Sequence, residues 1–263
     1  MKRFKYYTKE RIIRGLTWYY HRTVLLNPLR AIPELRGMLR WADGVRYGHN
    51  ALWHQAAAEN LFFGVQYVTE SSVDGDVAEF GCATGRTAKV LSAGMKAMRS
   101  PKSLHLFDSF EGLPPSTSKE DLENEHVKSG VWGPGTCWGV SQERLKGICR
   151  RFLPEDRIKI YPGWYSQTLS KIPAETKFSL VHMDCDLYLS AFEVLDYLFK
   201  FKHLAEGAML LFDDWDCNRA SNNHGERKAW ADVYCKYQIQ SSDLGGYGWA
   251  GHKFIVHSYS TAK

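Results

Sequence analysis

Long apolar segments are absent from this sequence of 263 residues. No run of eighteen apolar residues occurs, which is about the length that a membrane-spanning helix needs, so we expect no transmembrane segment. The basic N-terminus also lacks the apolar core of a secretory signal. Six cysteines are present, but none forms a Cys-x-x-Cys pair or lies at zinc-finger spacing. Because scattered thiols are typical of reducing compartments, we predict a cytoplasmic protein.

Acidic residues are scarce at the N-terminus. The first thirty residues contain eight lysines and arginines and one acid, Glu10, although the whole chain has a net charge of only +5. Aromatic residues such as Trp18 and Tyr19 are mixed with these charges, and such side chains usually pack against a partner. We therefore interpret residues 1–50 as an arm that forms a substrate lid or a dimer contact. Weak peripheral membrane contact through residues 1–30 and a solvated tail are the alternatives, and we expect no nucleic-acid partner.

A third glycine is missing from the loop around which the chain is organised. Residues 76–86 read Asp-Val-Ala-Glu-Phe-Gly-Cys-Ala-Thr-Gly-Arg, which predicts a short buried strand, a glycine loop and the start of a helix. A dinucleotide fingerprint would be Gly-x-Gly-x-x-Gly. Only Gly81 and Gly85 are present, and Glu79 precedes them. The pattern resembles motif I of class I S-adenosylmethionine (SAM) methyltransferases, with an ordinary strand–turn–helix joint as the alternative for this loop alone.

Strand-like and helical segments alternate along residues 51–263. The predicted strands end at Phe80, Asp108, Tyr161, Met183 and Phe212, and helices are expected at residues 51–70, 86–98, 141–152, 165–172, 190–201 and 225–235. This alternation favours a mostly parallel sheet with right-handed crossovers and helices on both faces. A last strand at residues 252–257 is expected in an antiparallel edge hairpin with part of residues 237–244. We therefore predict one α/β domain of Rossmann-like architecture.

Polar and aromatic residues follow the second predicted strand. Asp108 and Ser109 come directly after it, and ligands of parallel sheets bind outside the carboxyl ends of the strands. Asp108 is therefore a candidate partner for ribose hydroxyls, with a turn or helix-cap role as the alternative. Residues 114–140 form a long insertion that ends in a glycine–aromatic cover loop, residues 131–139, which contains Trp138. Because loops of this length are usually functional or disordered, we interpret it as a mobile cover over the ligand.

Carboxylates gather after two consecutive predicted strands. Asp184 follows the fourth strand, and Asp213 and Asp214 follow the fifth. Because the ends of parallel strands meet at one edge of a sheet, we expect these side chains to converge beside the glycine loop. Like charges at short range raise one another's pKa and are costly unless a cation neutralises them. Hard oxygen ligands suit Mg²⁺, Ca²⁺ or Mn²⁺, so the pattern predicts a divalent cation site, with helix caps or solvated aspartates as the alternative.

Five sequence blocks in a fixed order make the resemblance specific. They are Glu79-Phe-Gly-Cys-Ala-Thr-Gly85, Leu106-Phe-Asp-Ser-Phe-Glu-Gly-Leu-Pro114, Tyr161-Pro-Gly-Trp164, His182-Met-Asp-Cys-Asp-Leu-Tyr188 and Phe212-Asp-Asp-Trp215. Over roughly residues 60–235 they resemble the macrocin O-methyltransferase (TylF-type) family of metal-dependent class I SAM methyltransferases. Members of that family methylate hydroxyls, notably on deoxysugars of natural products, and typically use Mg²⁺. The resemblance implies methyl transfer from SAM to a hydroxyl of a small molecule or sugar.

The resemblance also implies roles for individual residues. Asp184, Asp213 and Asp214 would hold the Mg²⁺ ion. Asp184 is in addition a candidate base, and Asp186 or His182 could share that work because a metal-bound carboxylate is a poor base. The cofactor-binding candidates come from the glycine loop, the ends of the second and fourth strands and the cover loop: Glu79, Gly81, Cys82, Thr84, Gly85, Asp108, Ser109, Trp138 and Asp184.

Departures from the family pattern lie mainly on the acceptor side. Cys185 stands where glycine is usual, Trp215 stands where tyrosine is common, and residues 216–226 and the N-terminal arm are unlike the family. These departures leave the acceptor open. A catechol-type phenol is the alternative acceptor, because Mg²⁺ at such a site also suits vicinal diols. A homo-oligomer that exchanges the arm is compatible with the sequence. The missing glycine and the acids disfavour an NAD-dependent oxidoreductase. The presence of the acids disfavours a non-catalytic SAM-binding protein.

Overall fold

A computed structural model describes residues 49–260 of the chain, with side chains from residue 55 onward. Nearly all of the predicted N-terminal arm lies outside the described residues. The lid, dimer and membrane interpretations of the arm therefore stay predictions. No helix in the described part is long and apolar enough to cross a membrane. All six cysteines fall within it and are free thiols, and the cytoplasmic location stays a prediction.

A seven-stranded sheet forms the centre of the described part. The strands are β1 (Asp76–Phe80), β2 (Leu104–Asp108), β3 (Ile158–Pro162), β4 (Phe178–Met183), β5 (Leu204–Phe212), β6 (Gln240–Tyr247) and β7 (Gly251–Ser258). Their order is β3-β2-β1-β4-β5-β7-β6. The first five strands pair in parallel, whereas β7 is antiparallel to both β5 and β6. The predicted edge hairpin is confirmed, but β7 lies inside it and β6 is the outer strand.

Helices connect the strands and include three that the sequence pattern did not predict. They are α1 (His49–Glu70), α2 (Arg86–Ala97), α3 (Lys119–Leu122), α4 (Glu125–Lys128), α5 (Gln142–Cys149), α6 (Tyr165–Thr168), α7 (Tyr188–Lys200), α8 (Cys217–Ala220) and α9 (Gly225–Lys236). The six predicted helices are present, and the one expected at 165–172 continues after α6 as a 3₁₀ turn, Leu169–Lys171. Of the three unpredicted helices, α3 and α4 lie in the long insertion, and α8 lies in the polar segment after β5.

Side chains that alternate along the strands divide the core into two layers. Ala78 of β1 belongs to the layer that contains residues of α7 and α9, such as Val194 and Val233. Val77 belongs to the opposite layer, with residues of α1 and α2 such as Leu61. Burial of a leucine or phenylalanine side chain stabilises a fold by about 1.5–3 kcal/mol, so both faces of the sheet contribute to stability. The predicted helices on both faces are confirmed.

The long insertion is built from short capped helices. The Ser118 side chain accepts a hydrogen bond from the Asp121 amide N–H at 3.1 Å, and Asn124 caps α4 in the same way. Asp121 is fully buried, and its two carboxylate oxygens accept the amide N–H groups of Tyr188 at 2.7 Å and Leu189 at 3.1 Å. The insertion is thereby tied to the start of α7.

The strand order reverses between β1 and β4. β1 has β2 on one side and β4 on the other, so the connections leave the sheet in opposite directions there. A crevice at the carboxyl ends of the strands is expected at such a switch point, and ligands of open α/β sheets bind in it. The glycine loop after β1, Asp108 at the end of β2 and the acids after β4 and β5 all belong to this edge.

Candidate active site

Gly81 begins the loop between β1 and α2, with a φ of +89°. A β-carbon at this position would lie 1.8 Å from the carbonyl oxygen of Asp184, so no other residue fits without a shift of the backbone. The Gly81 amide donates to the carbonyl oxygen of Phe107 at 3.0 Å, and the Asp184 amide donates to that of Phe80 at 2.9 Å. The loop is therefore held between the ends of β2 and β4.

The other residues of the glycine loop differ in exposure. The Cys82 thiol is buried near the carbonyl oxygen of Phe107, and burial raises its pKa well above the ordinary value. Thr84 is exposed. Gly85 caps α2 with a φ of +71°, and a β-carbon there would lie 2.9 Å from Leu145 Cδ1. Of the polar groups in this loop, the Thr84 side chain is thus open to a ligand while the Cys82 side chain is not.

Asp108 joins the end of β2 to the glycine loop. Its Oδ2 accepts the amide N–H groups of Cys82 at 2.7 Å and Ala83 at 3.1 Å, and its Oδ1 accepts that of Phe110 at 2.6 Å. Hydrogen bonds to an ionised carboxylate are about twice as strong as neutral ones, so Asp108 fixes the loop's shape. The neighbouring Ser109 hydroxyl donates to the Gly112 carbonyl oxygen at 2.8 Å. Contact of Asp108 and Ser109 with a ribose stays a prediction.

The cover loop lies directly against the glycine loop. A β-carbon at Gly139 would be 1.8 Å from the carbonyl oxygen of Ala83, and the Val140 amide donates to the same oxygen at 2.9 Å. Further back, the Leu113 amide donates to the carbonyl oxygen of Thr136 at 2.9 Å. The segment predicted as a cover is thus anchored to the glycine loop at one end and to the turn after β2 at the other. Its mobility stays a prediction.

The aromatic and thiol side chains of the cover loop differ in their exposure to solvent. Trp138 is 73% exposed, whereas Trp132 is only 5% exposed. Burial raises the pKa of the Cys137 thiol to about 11, and the negative charges of Asp186 and Asp214 add to the shift. Cys137 is therefore close to the acids that follow β4 and β5. The cover loop extends from the glycine loop towards the acids, and Trp138 is free to meet a ligand.

The acids after β4 and β5 form one cluster. The two strands are parallel neighbours, and the Asp213 amide donates to the carbonyl oxygen of Met183 at 3.0 Å. Burial raises the pKa values of Asp184 and Asp186 well above the ordinary range, and the charges of the other acids raise them further. Burial also raises the pKa of Asp213 to about 7, although His182 lowers it. The structure brings together the aspartates that the sequence predicted to converge.

The fit of this cluster to a divalent cation can be judged from its donor atoms. Carboxylate oxygens are the ligands that Mg²⁺ prefers. Oδ1 of Asp213 is buried and accepts no hydrogen bond from the described residues, which leaves it available to a cation. Within residues 49–260, however, no three acidic, histidine or cysteine side chains form a ready metal site. The donor chemistry fits Mg²⁺, while the ligands would have to draw together on binding.

His182 lies behind the acids in β4. Its Nδ1 is 3.0 Å from Oε1 of Glu79, its neighbour in β1, and both side chains are 0% exposed. Its Nε2 is 4.0 Å from Oδ1 of Asp213, beyond hydrogen-bond distance. Burial lowers the pKa of His182, but the hydrogen bond and charge of Glu79 outweigh burial, so the net pKa is raised. This placement favours a buried positive charge beside Asp213 over the predicted role as a base.

The family of the chain follows from its sequence. The sequence profile of the macrocin O-methyltransferase (TylF) family matches residues 48–241, which is well over half of the chain. The chain belongs to the macrocin O-methyltransferase family. This membership confirms the resemblance that the five sequence blocks indicate.

Two relatives are O-methyltransferases of Streptomyces species. The 8-demethyl-8-(2,3-dimethoxy-alpha-L-rhamnosyl)-tetracenomycin-C 4'-O-methyltransferase of Streptomyces olivaceus is 27% identical over 163 residues, or 60% of this chain and 59% of that protein. The demethyldecarbamoylnovobiocin O-methyltransferase of Streptomyces niveus is 26% identical over 159 residues, again 60% of this chain and 59% of the relative. The chain thus matches about three fifths of the length of each relative.

A solved structure confirms the fold of this family member. The O-methyltransferase NovP superposes with a TM-score of 0.64 at 21% sequence identity, over 76% of this chain and 79% of NovP. The sheet order and the superposition together confirm the predicted class I methyltransferase fold with a mostly parallel sheet.

Glu226 joins the two acid-bearing loops in this family member. It belongs to the first turn of α9 and is fully buried. Its Oε1 accepts the amide N–H of Cys185 at 3.0 Å, and its Oε2 accepts that of Asp214 at 3.1 Å. In the sequence, Glu226 is recognisable only as the end of an unusual polar segment, residues 216–226. An acid in a first helical turn ordinarily complements the helix dipole, so no local signal distinguished it.

Asn218, in the same polar segment, reaches the insertion. Its φ is +58°, and Arg219 and Ala220 are also left-handed, at +58° and +53°. Its Oδ1 is 2.6 Å from Nδ1 of His126 in α4. Because an amide oxygen only accepts, the proton lies on Nδ1 of His126. The charge of His126 also opposes the burial that raises the pKa of Asp214, so the insertion borders the acid cluster.

Proposed function

We propose that the protein is a SAM-dependent O-methyltransferase that methylates a hydroxyl group of a sugar or another small natural product, with Mg²⁺ as its metal. The observation that carries the proposal is the direct contact between the glycine loop and the acid cluster. The backbones of Gly81 and Asp184 touch there, at the switch point of the sheet. A cofactor bound at the loop and a hydroxyl bound at the acids would therefore be neighbours.

The cofactor half of the proposal is supported by the polar groups around the glycine loop. Glu79 and Gly81 would contact the amino-acid end of SAM, with Thr84 and Gly85 beside it. Asp108 and Ser109, at the end of β2, would meet the ribose and the adjacent adenosine atoms. Trp138 is exposed on a loop that is fastened to Ala83, so its ring would cover the cofactor.

Transfer itself would be an in-line displacement. The acceptor oxygen forms a bond to the methyl carbon as the carbon–sulfur bond breaks, and the sulfonium leaves as neutral S-adenosylhomocysteine. The hydroxyl proton passes to a carboxylate, for which we propose Asp186. Burial, aided by the charges of Asp214 and Asp213, raises its pKa, and a raised pKa makes the ionised form a better proton acceptor. Asp184 and His182 remain the other candidates, of which His182 is closed to solvent.

The metal part of the proposal concerns the remaining acids. Asp184, Asp213 and Asp214 would hold Mg²⁺, in line with the chemistry of their oxygens. When bound, the ion would neutralise the clustered charge and lower the pKa of the acceptor hydroxyl. Support comes from the mutual raising of the pKa values and from the unpartnered Oδ1 of Asp213.

The acceptor class is proposed from the relatives. The names of two of them specify a rhamnosyl-tetracenomycin and a novobiocin derivative as the molecules that they methylate. We therefore propose a deoxysugar hydroxyl of a natural product as the acceptor, and a catechol-type phenol as the second candidate because vicinal oxygens also suit Mg²⁺. Family membership disfavours an NAD-dependent oxidoreductase.

Calorimetric titration tests this proposal. The full chain is titrated with S-adenosylhomocysteine and with NAD⁺, each with Mg²⁺ or with EDTA, and with Mg²⁺ alone. We expect micromolar binding of S-adenosylhomocysteine, no binding of NAD⁺, and a Mg²⁺ site that Asp213→Ala abolishes. Asp243→Ala is the matched control, since Asp243 is an exposed aspartate of the edge strand β6. Binding of NAD⁺ or of neither nucleotide would overturn the assignment.

Radiolabelled SAM then identifies the acceptor. Methyl transfer is measured to a panel of nucleotide-linked deoxysugars, glycosylated natural products and catechols. Incorporation into a sugar hydroxyl that requires Mg²⁺ is the expected result. Incorporation into catechols alone would replace the first acceptor class with the second.

A further inference from the structure

Glu226 is built into the acid cluster in an unusual way. Each carboxylate oxygen accepts one backbone N–H, and the two N–H groups belong to different loops. One is that of Cys185, which lies between Asp184 and Asp186. The other is that of Asp214 itself. One buried side chain thus spans the carboxyl ends of β4 and β5.

A buried carboxylate at this position is costly. Burial raises the pKa of Glu226 well above its ordinary value, and the charge of Asp214 raises it further. The neighbouring Arg227 and Lys228 pair with other acids, and like charges within a buried cluster repel one another. A neutral side chain of similar volume would avoid this repulsion. The carboxylate offers what such a side chain lacks, which is one acceptor oxygen for each of the two backbone N–H groups.

The backbone before Glu226 is shaped to bring α9 to the loops. Gly225, the first residue of α9, has a φ of +58°, and a β-carbon there would lie 3.5 Å from the carbonyl oxygen of Asp186. The helix therefore begins against the β4 loop. From this start, a side chain of the length of glutamate reaches both N–H groups.

We propose that Glu226 is a positioning residue that holds the loop of Asp184 beside the loop of Asp213 and Asp214, so that the three carboxylates can draw together around a divalent cation. The inference rests on the proposed function, because it presumes that these aspartates bind Mg²⁺. Glu226 acts through the two backbones and contributes no ligand of its own. Residues that orient metal ligands without contacting the metal typically contribute tenfold to a hundredfold to metal affinity.

Asp121 provides a matched control in the same chain. It is also a fully buried carboxylate whose two oxygens accept two backbone N–H groups, those of Tyr188 and Leu189. Those residues begin α7 and carry none of the acids proposed as ligands. The loss of an equivalent hydrogen bond at Asp121 therefore shows the effect of general destabilisation on metal binding.

The experiment compares Glu226→Gln, Glu226→Asp and Asp121→Asn with the unmodified full chain. Mg²⁺ and Mn²⁺ are titrated by calorimetry in the presence of saturating S-adenosylhomocysteine, and S-adenosylhomocysteine is titrated separately in EDTA. Glutamine keeps one acceptor but turns an amide N–H₂ towards the other backbone N–H. Aspartate keeps the charge but retracts the carboxylate by about 1.5 Å, so that it spans one N–H at most.

We expect both Glu226 variants to bind Mg²⁺ about tenfold to a hundredfold more weakly, with S-adenosylhomocysteine affinity changed less than about threefold. Asp121→Asn should keep the Mg²⁺ affinity of the unmodified chain. If Glu226→Asp binds Mg²⁺ normally and only Glu226→Gln is weak, Glu226 acts by charge and the positioning role is overturned. Equal losses in Asp121→Asn and in the Glu226 variants would overturn it as well.

The unmodified chain separates the two hypotheses. If it binds S-adenosylhomocysteine but no divalent cation, the metal part of the proposed function fails, and the positioning role falls with it. If it binds Mg²⁺ and the Glu226 variants bind it equally well, only the positioning role fails. Thermal unfolding of every variant in EDTA shows whether each is folded before its titration is interpreted.

Discussion

His182 Nδ1 lies 3.0 Å from Oε1 of Glu79, and neither side chain is exposed to solvent. The two residues are aligned partners in the adjacent parallel strands β1 and β4. Burial lowers the pKa of His182, but the hydrogen bond and charge of Glu79 raise it more, so we expect the two side chains to form a buried ion pair. In a buried ion pair, the attraction between the two charges offsets the cost of removing each from water. The loss of one member therefore leaves the other as an unpaired buried charge.

His182→Leu should therefore lower the free energy of unfolding by about 3–5 kcal/mol, because it leaves the Glu79 carboxylate buried without a partner. Urea denaturation in the presence of EDTA measures the change. The double variant His182→Leu/Glu79→Gln should recover part of the loss, since the unpaired charge is gone. A single variant as stable as the unmodified chain would show that the pair is not ionised.

Asp108→Asn should weaken S-adenosylhomocysteine binding by at least about tenfold. Asparagine presents one acceptor oxygen in place of two, and hydrogen bonds to charged groups contribute about 1.5–3 kcal/mol each. The variant would lose the hydrogen bonds from the amide N–H groups of Cys82 and Ala83, or the one from Phe110, and the glycine loop would be less well fixed. Calorimetry measures the affinity, with the exposed Asp156→Asn as the control variant. Unchanged affinity in Asp108→Asn would contradict the role of Asp108 in shaping the loop.

The pH dependence of stability should show the contribution of Asp76, at the other end of β1. Burial raises the pKa of Asp76, but hydrogen bonds from His105 and from the Ser103 amide N–H outweigh it, and the net pKa is below the ordinary 3.8. A lowered carboxyl pKa contributes stability above the unfolded-state value, and this stability is lost as pH falls through the folded-state pKa.

Asp76→Asn should accordingly be less stable than the unmodified chain at about pH 7, and the difference should shrink as the pH falls through the lowered pKa of Asp76. Urea denaturation across this range measures both curves. A difference that stays constant with pH would show that the hydrogen bonds of Asp76 do not depend on its charge.

Deletion of residues 1–40 should spare cofactor binding and reduce turnover. The groups proposed to bind SAM lie in the glycine loop, at the end of β2 and on the cover loop, all within the described fold. Calorimetry with S-adenosylhomocysteine and turnover with an identified acceptor measure the two effects. Loss of cofactor affinity in the truncated chain would contradict the interpretation of the arm as a lid or dimer contact.

The sequence predicts the sheet well because buried strands and their connecting helices leave a periodic signal. The strand that ends at Met183 is buried along its whole length, and its boundaries are those expected from the apolar run. The helices α3 and α4 were not predicted because each spans a single turn, which is too short for a periodic pattern.

Within the candidate site, the sequence places the aspartates correctly because each follows a strand. It cannot reveal what Glu226 contacts, because the two N–H groups that it accepts lie 41 and 12 residues away along the chain, beyond the reach of a local pattern. Asp108 shows the same limit of local patterns. Its position at a strand end indicates a ligand contact, whereas its observed partners are backbone groups of the glycine loop.

The close approach at Gly81 limits which substitutions this protein can accept as it evolves. The residue belongs to the loop proposed for the cofactor, yet the atom that excludes a side chain there is the carbonyl oxygen of Asp184. An added methyl group would displace the backbone that carries an acid of the cluster. The loop proposed for the cofactor and the loop proposed for the acceptor are therefore in direct backbone contact, so we expect laboratory evolution that remodels either loop to select compensating changes in the other.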